Sequence, residues 1–247
     1  MESPDARLAP PFWRHDGYTL DCLQQGIRRA IVDARQDLSG GIAPTTVVDI
    51  GAGGAPYRTL FEAMGAKYVT CDMAGGENAG SILPDVTLVP GHEIDILSSS
   101  ADWVVSFQVL EHVWDLDWYL GECRRVLKSD GVLMLSTHGT WLFHPHPTDF
   151  RRWTRDGLRE EIRRRGFDVV SLTPIVGPLA WTTQFRSLAY HHFLSRIPFI
   201  GKILSALVCA FMNSRMKFED RITPRAQLEN NAAVYIVLAT ISKPTGS

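Results

Sequence analysis

Two groups of residues in this chain carry the means for chemistry. The first is the run Val47-Val-Asp-Ile-Gly-Ala-Gly-Gly-Ala55, followed by Cys71-Asp72. Glycines let a backbone turn tightly and approach a ligand with no Cβ in the way. Asp72 lies 23 residues beyond Asp49, at the tip of the next predicted strand. A carboxylate there can accept both hydroxyls of a ribose. The plainer alternative is a solvated loop acid, and the pairing of turn and acid favours the ribose role. A glycine turn alone is unspecific, since such turns also end strands for packing reasons. The full GxGxxG spacing of dinucleotide binders is absent, because position 56 is Pro.

The second group is the stretch from His138 to Thr154, which holds His138, His144, His146, Asp149, Arg152 and Trp153, with Pro145 and Pro147 stiffening it. It follows a predicted strand, whose carboxyl end is where ligands bind in open α/β sheets. A histidine near neutral pKa can remove a hydroxyl proton, with a carboxylate orienting it. His144 or His146 is the candidate base and Asp149 its orienting partner. His138, Arg152 and Trp153 are candidate substrate contacts; an indole face suits a sugar ring or an aromatic acceptor. The alternative for Asp149 is to cap a helix starting near residue 154, and for Arg152 to pair with it. His144-x-His146 with Asp149 could also bind a metal, but histidines flanking a proline in a loop are more often not ligands, so no metal is assigned.

The elements that must position these groups alternate. Apolar residues at helical spacing run from 17 to 39 and stop at Ser39-Gly40-Gly41. Residues 46 to 50 read as a buried parallel strand, Pro56 as the start of a helix, and 67 to 71 as a second strand. Strands follow at 102 to 107, 132 to 136, 167 to 172 and 232 to 242, with a turn at Ser129-Asp-Gly131. Helices fall at 115 to 127 and about 155 to 165. This alternation predicts a mostly parallel sheet. Residues 1 to 40 are read as an arm and helix, 41 to 173 as the core, 174 to 230 as a helical insertion capping the substrate side, and 231 to 247 as the final strand. Within the insertion, residues 197 to 212 carry a helical apolar period. The spacing predicts a lid helix packed on the core or a second subunit; the sharper alternative is a helix in weak contact with a membrane surface.

The composition is that of an ordinary globular protein, 45% hydrophobic and 21% charged over 247 residues. The net charge of -2 offers no bulk attraction to phosphate backbones, so nucleic acid is not the expected partner. Cys22, Cys71, Cys123 and Cys209 lie far apart, which points to reduced thiols in a cytoplasmic protein. The N-terminal residues do not read as a secretory signal, and no stretch reaches the length of a membrane span.

Taken together, Asp49-Ile-Gly-Ala-Gly-Gly-Ala55, Asp72, Glu93-Ile-Asp-Ile-Leu97, the block from Asp102 to Val113 and Leu127-Lys-Ser-Asp-Gly-Val-Leu-Met-Leu135 resemble class I S-adenosylmethionine-dependent methyltransferases of the ubiquinone-biosynthesis-like branch. Ala55 stands where that family often has a third glycine. The resemblance implies a Rossmann-like, seven-stranded, mostly parallel sheet with helices on both faces and an antiparallel last strand. It also implies S-adenosylmethionine as cofactor. Gly51, Ala52 and Gly53 would approach its amino-acid part over Asp49, and Asp72 and Met73 would lie at the ribose. Asp95 and Ile96 would meet the adenine, and Gln108 the methionine end. From their own place after the strand at 102 to 107, Glu111 and His112 read as the start of the next helical region, lining the cofactor cleft, with His112 a secondary catalytic candidate. Similar His-Pro and Asp-x-x-Arg-x-Thr runs occur in glycan and natural-product methyltransferases. The expected activity is therefore O-methylation of a small-molecule or glycan acceptor. The alternatives are methylation at nitrogen or carbon of a small molecule, protein or RNA, and a non-catalytic module that kept the cofactor fold.

Overall fold

The structure, a computed structural model, describes residues 5–74 and 83–243. The first four and last four residues of the chain, within the predicted arm and final segment, lie outside the described residues. A short helix α1 (Asp5–Leu8) and a long helix α2 (Gly17–Asp33) precede β1 (Thr46–Ile50), α3 (Arg58–Glu62), β2 (Lys67–Met73), β3 (Val86–Leu88) and β4 (Ala101–Phe107). Then come α4 (Leu116–Val126), β5 (Leu127–His138), α5 (Arg155–Arg163), β6 (Phe167–Ile175), α6 (Pro178–Leu194), α7 (Gly201–Ile222), α8 (Arg225–Asn230) and β7 (Val234–Ile241).

The seven strands form one sheet in the order β3-β2-β1-β4-β5-β7-β6. β1 through β5 run parallel, while β7 is antiparallel to both β5 and β6. The β-branched run of β1 explains its central place. Val47 turns to one face and Val48 to the other, and both are buried, as a strand covered by helices on two sides requires. On the Val47 face the core includes Leu23 and Ile27 of α2, Phe61 of α3 and Met216 of α7. On the Val48 face it includes Leu120 and Cys123 of α4 and Leu158 and Ile162 of α5. The last strand is antiparallel as expected.

Four local expectations change. β3 was not legible, being three residues long. Ser129-Asp-Gly131 is part of β5 rather than a separate turn, and the sheet absorbs it as a register break between Ala101 and Trp103. The helix after Pro56 begins only at Arg58, because Ala55 sits at φ +48° and turns the chain first. The insertion holds a hairpin of α6 and α7 followed by α8, and α7 starts four residues later and ends ten residues later than the apolar period suggests. Pro198 and Phe199, the latter at φ +62°, form the bend before it.

The direction of α7 also differs from a lid packed by its apolar stripe. Its buried residues are Gly201, Ser205, Cys209, Asn213 and Met216, whereas Ile203, Leu207 and Phe211 face outward. Polar anchors hold this small-residue face down. Asn213 Nδ2 donates to the carbonyls of Phe12 (2.6 Å) and Arg14 (2.8 Å), and its Oδ1 accepts from the Tyr18 amide. Asp220 accepts from the Tyr18 hydroxyl and the Gly177 amide. Asn213→Ala would take away the partner of the Phe12 carbonyl and the Tyr18 amide, at roughly 1–3 kcal/mol for each that stays dry, while the Arg14 carbonyl keeps the Gly17 amide. We expect urea unfolding to show a lower midpoint with an unchanged slope; an unshifted midpoint would count against this anchoring.

Candidate active site

β1 ends in a turn that only glycine accommodates easily. Gly51 has φ +81° and Gly53 φ +54°. The amides of Gly51 and Ala52 both donate to the Cys71 carbonyl, at 2.8 and 3.1 Å, which ties the turn to β2. A Cβ on Gly51 would stand 2.6 Å from Val109 Cγ2, so the turn also packs against the exit of β4. At Gly53 nothing lies within 4 Å of such a Cβ, and the turn faces open space. There the Gly53 amide donates to Asp72 Oδ2 at 2.5 Å, and the Met73 amide to Oδ1 at 2.7 Å. Asp72 is half-buried and faces the bend.

Asp49 lies beneath, only 2% exposed. The Tyr68 hydroxyl donates to its Oδ2 at 2.5 Å, while Oδ1 has no partner. Burial pushes this carboxyl up to about 7. Ala52 is buried and Met73 exposed. Asp95 is exposed and Ile96 half-buried, on a loop that Arg125 holds by donating to the carbonyls of Ile94 and Ile96, each at 2.8 Å. Gln108, at φ +58°, is fixed to β5 through the Ser136 carbonyl and hydroxyl. These residues fit an adenosyl cofactor: open space at Gly53, a carboxylate for a ribose, and an unpaired buried oxygen toward a cationic amino-acid end.

The second group assembles beside this crevice, at the carboxyl ends of β4 and β5. A 3₁₀ turn, Leu110–His112, folds Glu111 fully inside. The Thr137 hydroxyl donates to Glu111 Oε2 at 2.8 Å, and His138 Nδ1 stands 2.8 Å from Oε1. Burial alone would raise the Glu111 carboxyl, but the neighbouring His138, with Thr137, brings it below its ordinary value. The His138 ring stacks on Trp141 at 5.1 Å. His144 lies 5.9 Å from His138, 6.0 Å from His112 and 4.3 Å from His146, ring centre to ring centre. Burial, reinforced by repulsion from His146, His138 and His112, pushes His144 down to about 4, so its ring is neutral at pH 7. Among the described residues no group of three or more His, Cys, Asp or Glu is arranged to hold a metal ion.

The rest of the predicted set is spent on holding the loop. Arg152 grips both oxygens of Asp149, at 2.5 and 2.6 Å, and donates to the carbonyls of Trp141, Leu142 and Arg151. Asp149 also accepts from the His144 main-chain amide at 2.7 Å, and no imidazole is bonded to it. Thr154, not Asp149, caps α5, accepting from the Gly157 amide. Trp153 is buried in the core at 8% exposure. The carboxylate beside an imidazole is thus Glu111. The adjacent pair Glu111-His112 was visible in the sequence, but only the 3₁₀ turn shows which of the two points inward and that its partner is His138.

Residues 48–135 match a family model described as a methyltransferase domain. The chain is 34% identical over 110 residues to a "Probable S-adenosylmethionine-dependent methyltransferase" of Mycolicibacterium smegmatis, covering 42% of this chain and 38% of that protein. It is 26% identical over 163 residues to the ubiquinone biosynthesis O-methyltransferase of Cereibacter sphaeroides, covering 55% of this chain and 66% of that protein. The chain therefore spans well under half the length of the first of these curated relatives. Among solved structures, the [4+2]-cyclase SpnF superposes with a TM-score of 0.54 at 16% identity, over 89% of this chain and 83% of that one. The phosphoethanolamine N-methyltransferase 2 of Haemonchus contortus, solved with S-adenosylhomocysteine, gives 0.53 at 13% identity, over 98% and 61%. Such distant likenesses speak to fold alone. With the glycine turn, the Asp72 contact and the strand order already in place, residues 48–135 are similar to a methyltransferase domain and sit in a fold of the class I methyltransferase type.

Proposed function

We propose that the protein transfers a methyl group from S-adenosylmethionine to a hydroxyl of a small-molecule or glycan acceptor. The observation that carries this reading is the Glu111–His138 pair at the ends of β4 and β5, on the sheet edge where β1 and β2 present Gly53 and Asp72. The name of the ubiquinone biosynthesis relative, an O-methyltransferase, adds support for oxygen as the methylated atom.

In this reading Gly51, Ala52 and Gly53 approach the amino-acid end of the cofactor, over the free oxygen of Asp49. Asp72 and Met73 lie at the ribose, Asp95 and Ile96 at the adenine, and Gln108 at the methionine end. When bound, S-adenosylmethionine supplies a methyl group already activated by its sulfonium charge. The work left to this chain is to orient the acceptor oxygen, exclude water and receive a proton. His138 serves as base: Glu111 at Nδ1 orients the ring, leaves Nε2 to take the hydroxyl proton, and stabilises the imidazolium that forms. His144, neutral at working pH, accepts a hydrogen bond from the acceptor, with His146 and His112 at its side. Asp149 and Arg152 act as positioning residues through the loop that carries His144, and Trp153 through its packing under that loop.

Calorimetry with S-adenosylhomocysteine and release of that product from a panel of hydroxylated acceptors test the proposal. A chain with no affinity for either cofactor form would end it. Asp72→Ala should weaken cofactor binding at least tenfold. His138→Asn and Glu111→Gln should each lower kcat on the order of a hundredfold while cofactor affinity stays within twofold of wild type; an undiminished kcat in both removes the base from the scheme.

Asp49 yields a pH prediction. Its folded pKa of about 7 lies above the ordinary 3.8, so the folded state binds the proton more tightly. Stability contributed by this group is full at low pH, falls as pH rises between those two values, and is level above them. Asp49→Asn should therefore raise Tm at pH 8 and change it little near pH 4, while weakening cofactor binding. Equal shifts in Tm at both pH values would contradict the assignment.

A further inference from the structure

The outer face of the α6–α7 hairpin has a construction the methyl-transfer reading leaves unused. α7 is 22 residues, about 33 Å of helix. Its outward residues Ile203, Leu204, Leu207, Phe211, Phe218 and Ile222 are 38–66% exposed, and Phe199 in the preceding bend is fully exposed. They recur at helical spacing along one side, so they form a stripe and not scattered surface residues, and soluble monomers seldom leave such a patch open without a use.

The charge around the stripe has one sign. Residues 178 to 224 hold six Lys and Arg against two acids, Glu219 and Asp220, in a chain whose net charge is -2. Both acids are already engaged: Glu219 pairs with Arg215 at 2.7 Å, and Asp220 accepts from Tyr18 and Gly177 within the fold. Arg186, Arg196, Lys202, Lys217 and Arg221 are exposed and form no ion pair with another described residue. An apolar stripe edged by unpaired cations, with its nearest acid already neutralised by Arg215, suits a layer of anionic headgroups over hydrocarbon. A two-fold pairing with a second copy would set Lys217 and Arg221 against the same stripe with the same charges, which disfavours that occupant.

We propose that the outer face of α7, with the bend before it, seats this protein on an anionic lipid surface. The inward face of small and polar residues, locked by Asn213 and Asp220, leaves the apolar side free for that contact. The edge-on packing of Phe185 of α6 against Trp141, 6.0 Å between ring centres, joins the hairpin to the loop of His144. The docking itself does not rest on the methyl-transfer reading.

The test is co-sedimentation of the full chain with vesicles of phosphatidylcholine alone and of phosphatidylcholine with phosphatidylglycerol at 7:3, at low salt and at 0.5 M salt, with light scattering of the protein alone. Binding to the anionic vesicles only, weakened by salt, is expected. Leu207→Glu with Phe211→Glu should lose at least tenfold in partition with unchanged far-UV spectrum and Tm. If that variant fails to fold, Lys202→Glu with Lys217→Glu and Arg221→Glu should give the same loss. The proposal is overturned by absent binding to anionic vesicles, by equal binding to neutral ones, by undiminished binding of a folded variant, or by a wild-type dimer that the apolar variant converts to monomer.

Discussion

The hydrogen bond from the Gly53 amide to the Asp72 carboxylate closes the first crossover of the sheet at its carboxyl edge, and the candidate site is arranged around it. It requires β1 to stop abruptly and reverse into the left-handed region at residues 51 and 53, which the absence of a side chain permits. The same absence lets Val109, at the exit of β4, close onto Gly51. Gln108 just before it also adopts a positive φ. The ends of β1, β2 and β4 are thereby drawn to one point, and any residue on the following turns is delivered next to them.

Two buried carboxylates near that point have opposite environments. Asp49 has one hydroxyl donor and one unpaired oxygen, so burial dominates and lifts its pKa toward neutrality. Glu111 is as deeply buried, yet the Thr137 hydrogen bond and the nearby His138 imidazole bring its carboxyl below the ordinary value. Environments that push equivalent groups apart in this way are characteristic of sites where binding and proton transfer are divided between residues. The cost of the Asp49 arrangement falls on stability at neutral pH.

The hairpin between β6 and β7 obeys the reverse of the usual amphipathic rule. Its polar and small residues are inside because they make bonds that fix α7 to the N-terminal segment, from Phe12 to Tyr18. Its large apolar residues are outside because no element of the described chain covers them. Periodicity records that a helix has two faces; it does not record which one the rest of the protein binds.

That distinction separates what the chain's order of residues determined from what folding decided. The alternation of β-branched runs and helical periods, the glycine turn and the acid at the next strand's tip were legible, because strand, turn and crossover chemistry are local and their geometry is nearly invariant. The mostly parallel sheet followed from the same pattern, and its antiparallel last strand from the family resemblance. The partners of the charged groups were not legible. Asp149 and His144 are close in sequence, but a bidentate arginine three residues on takes the carboxylate first. Glu111 and His138 are 27 residues apart and meet only because β4 and β5 lie side by side. Pairings of this kind depend on strand order and on a single 3₁₀ turn, which short-range sequence spacing does not encode; the tertiary structure alone decided which acid faces which base, and which side of α7 faces out.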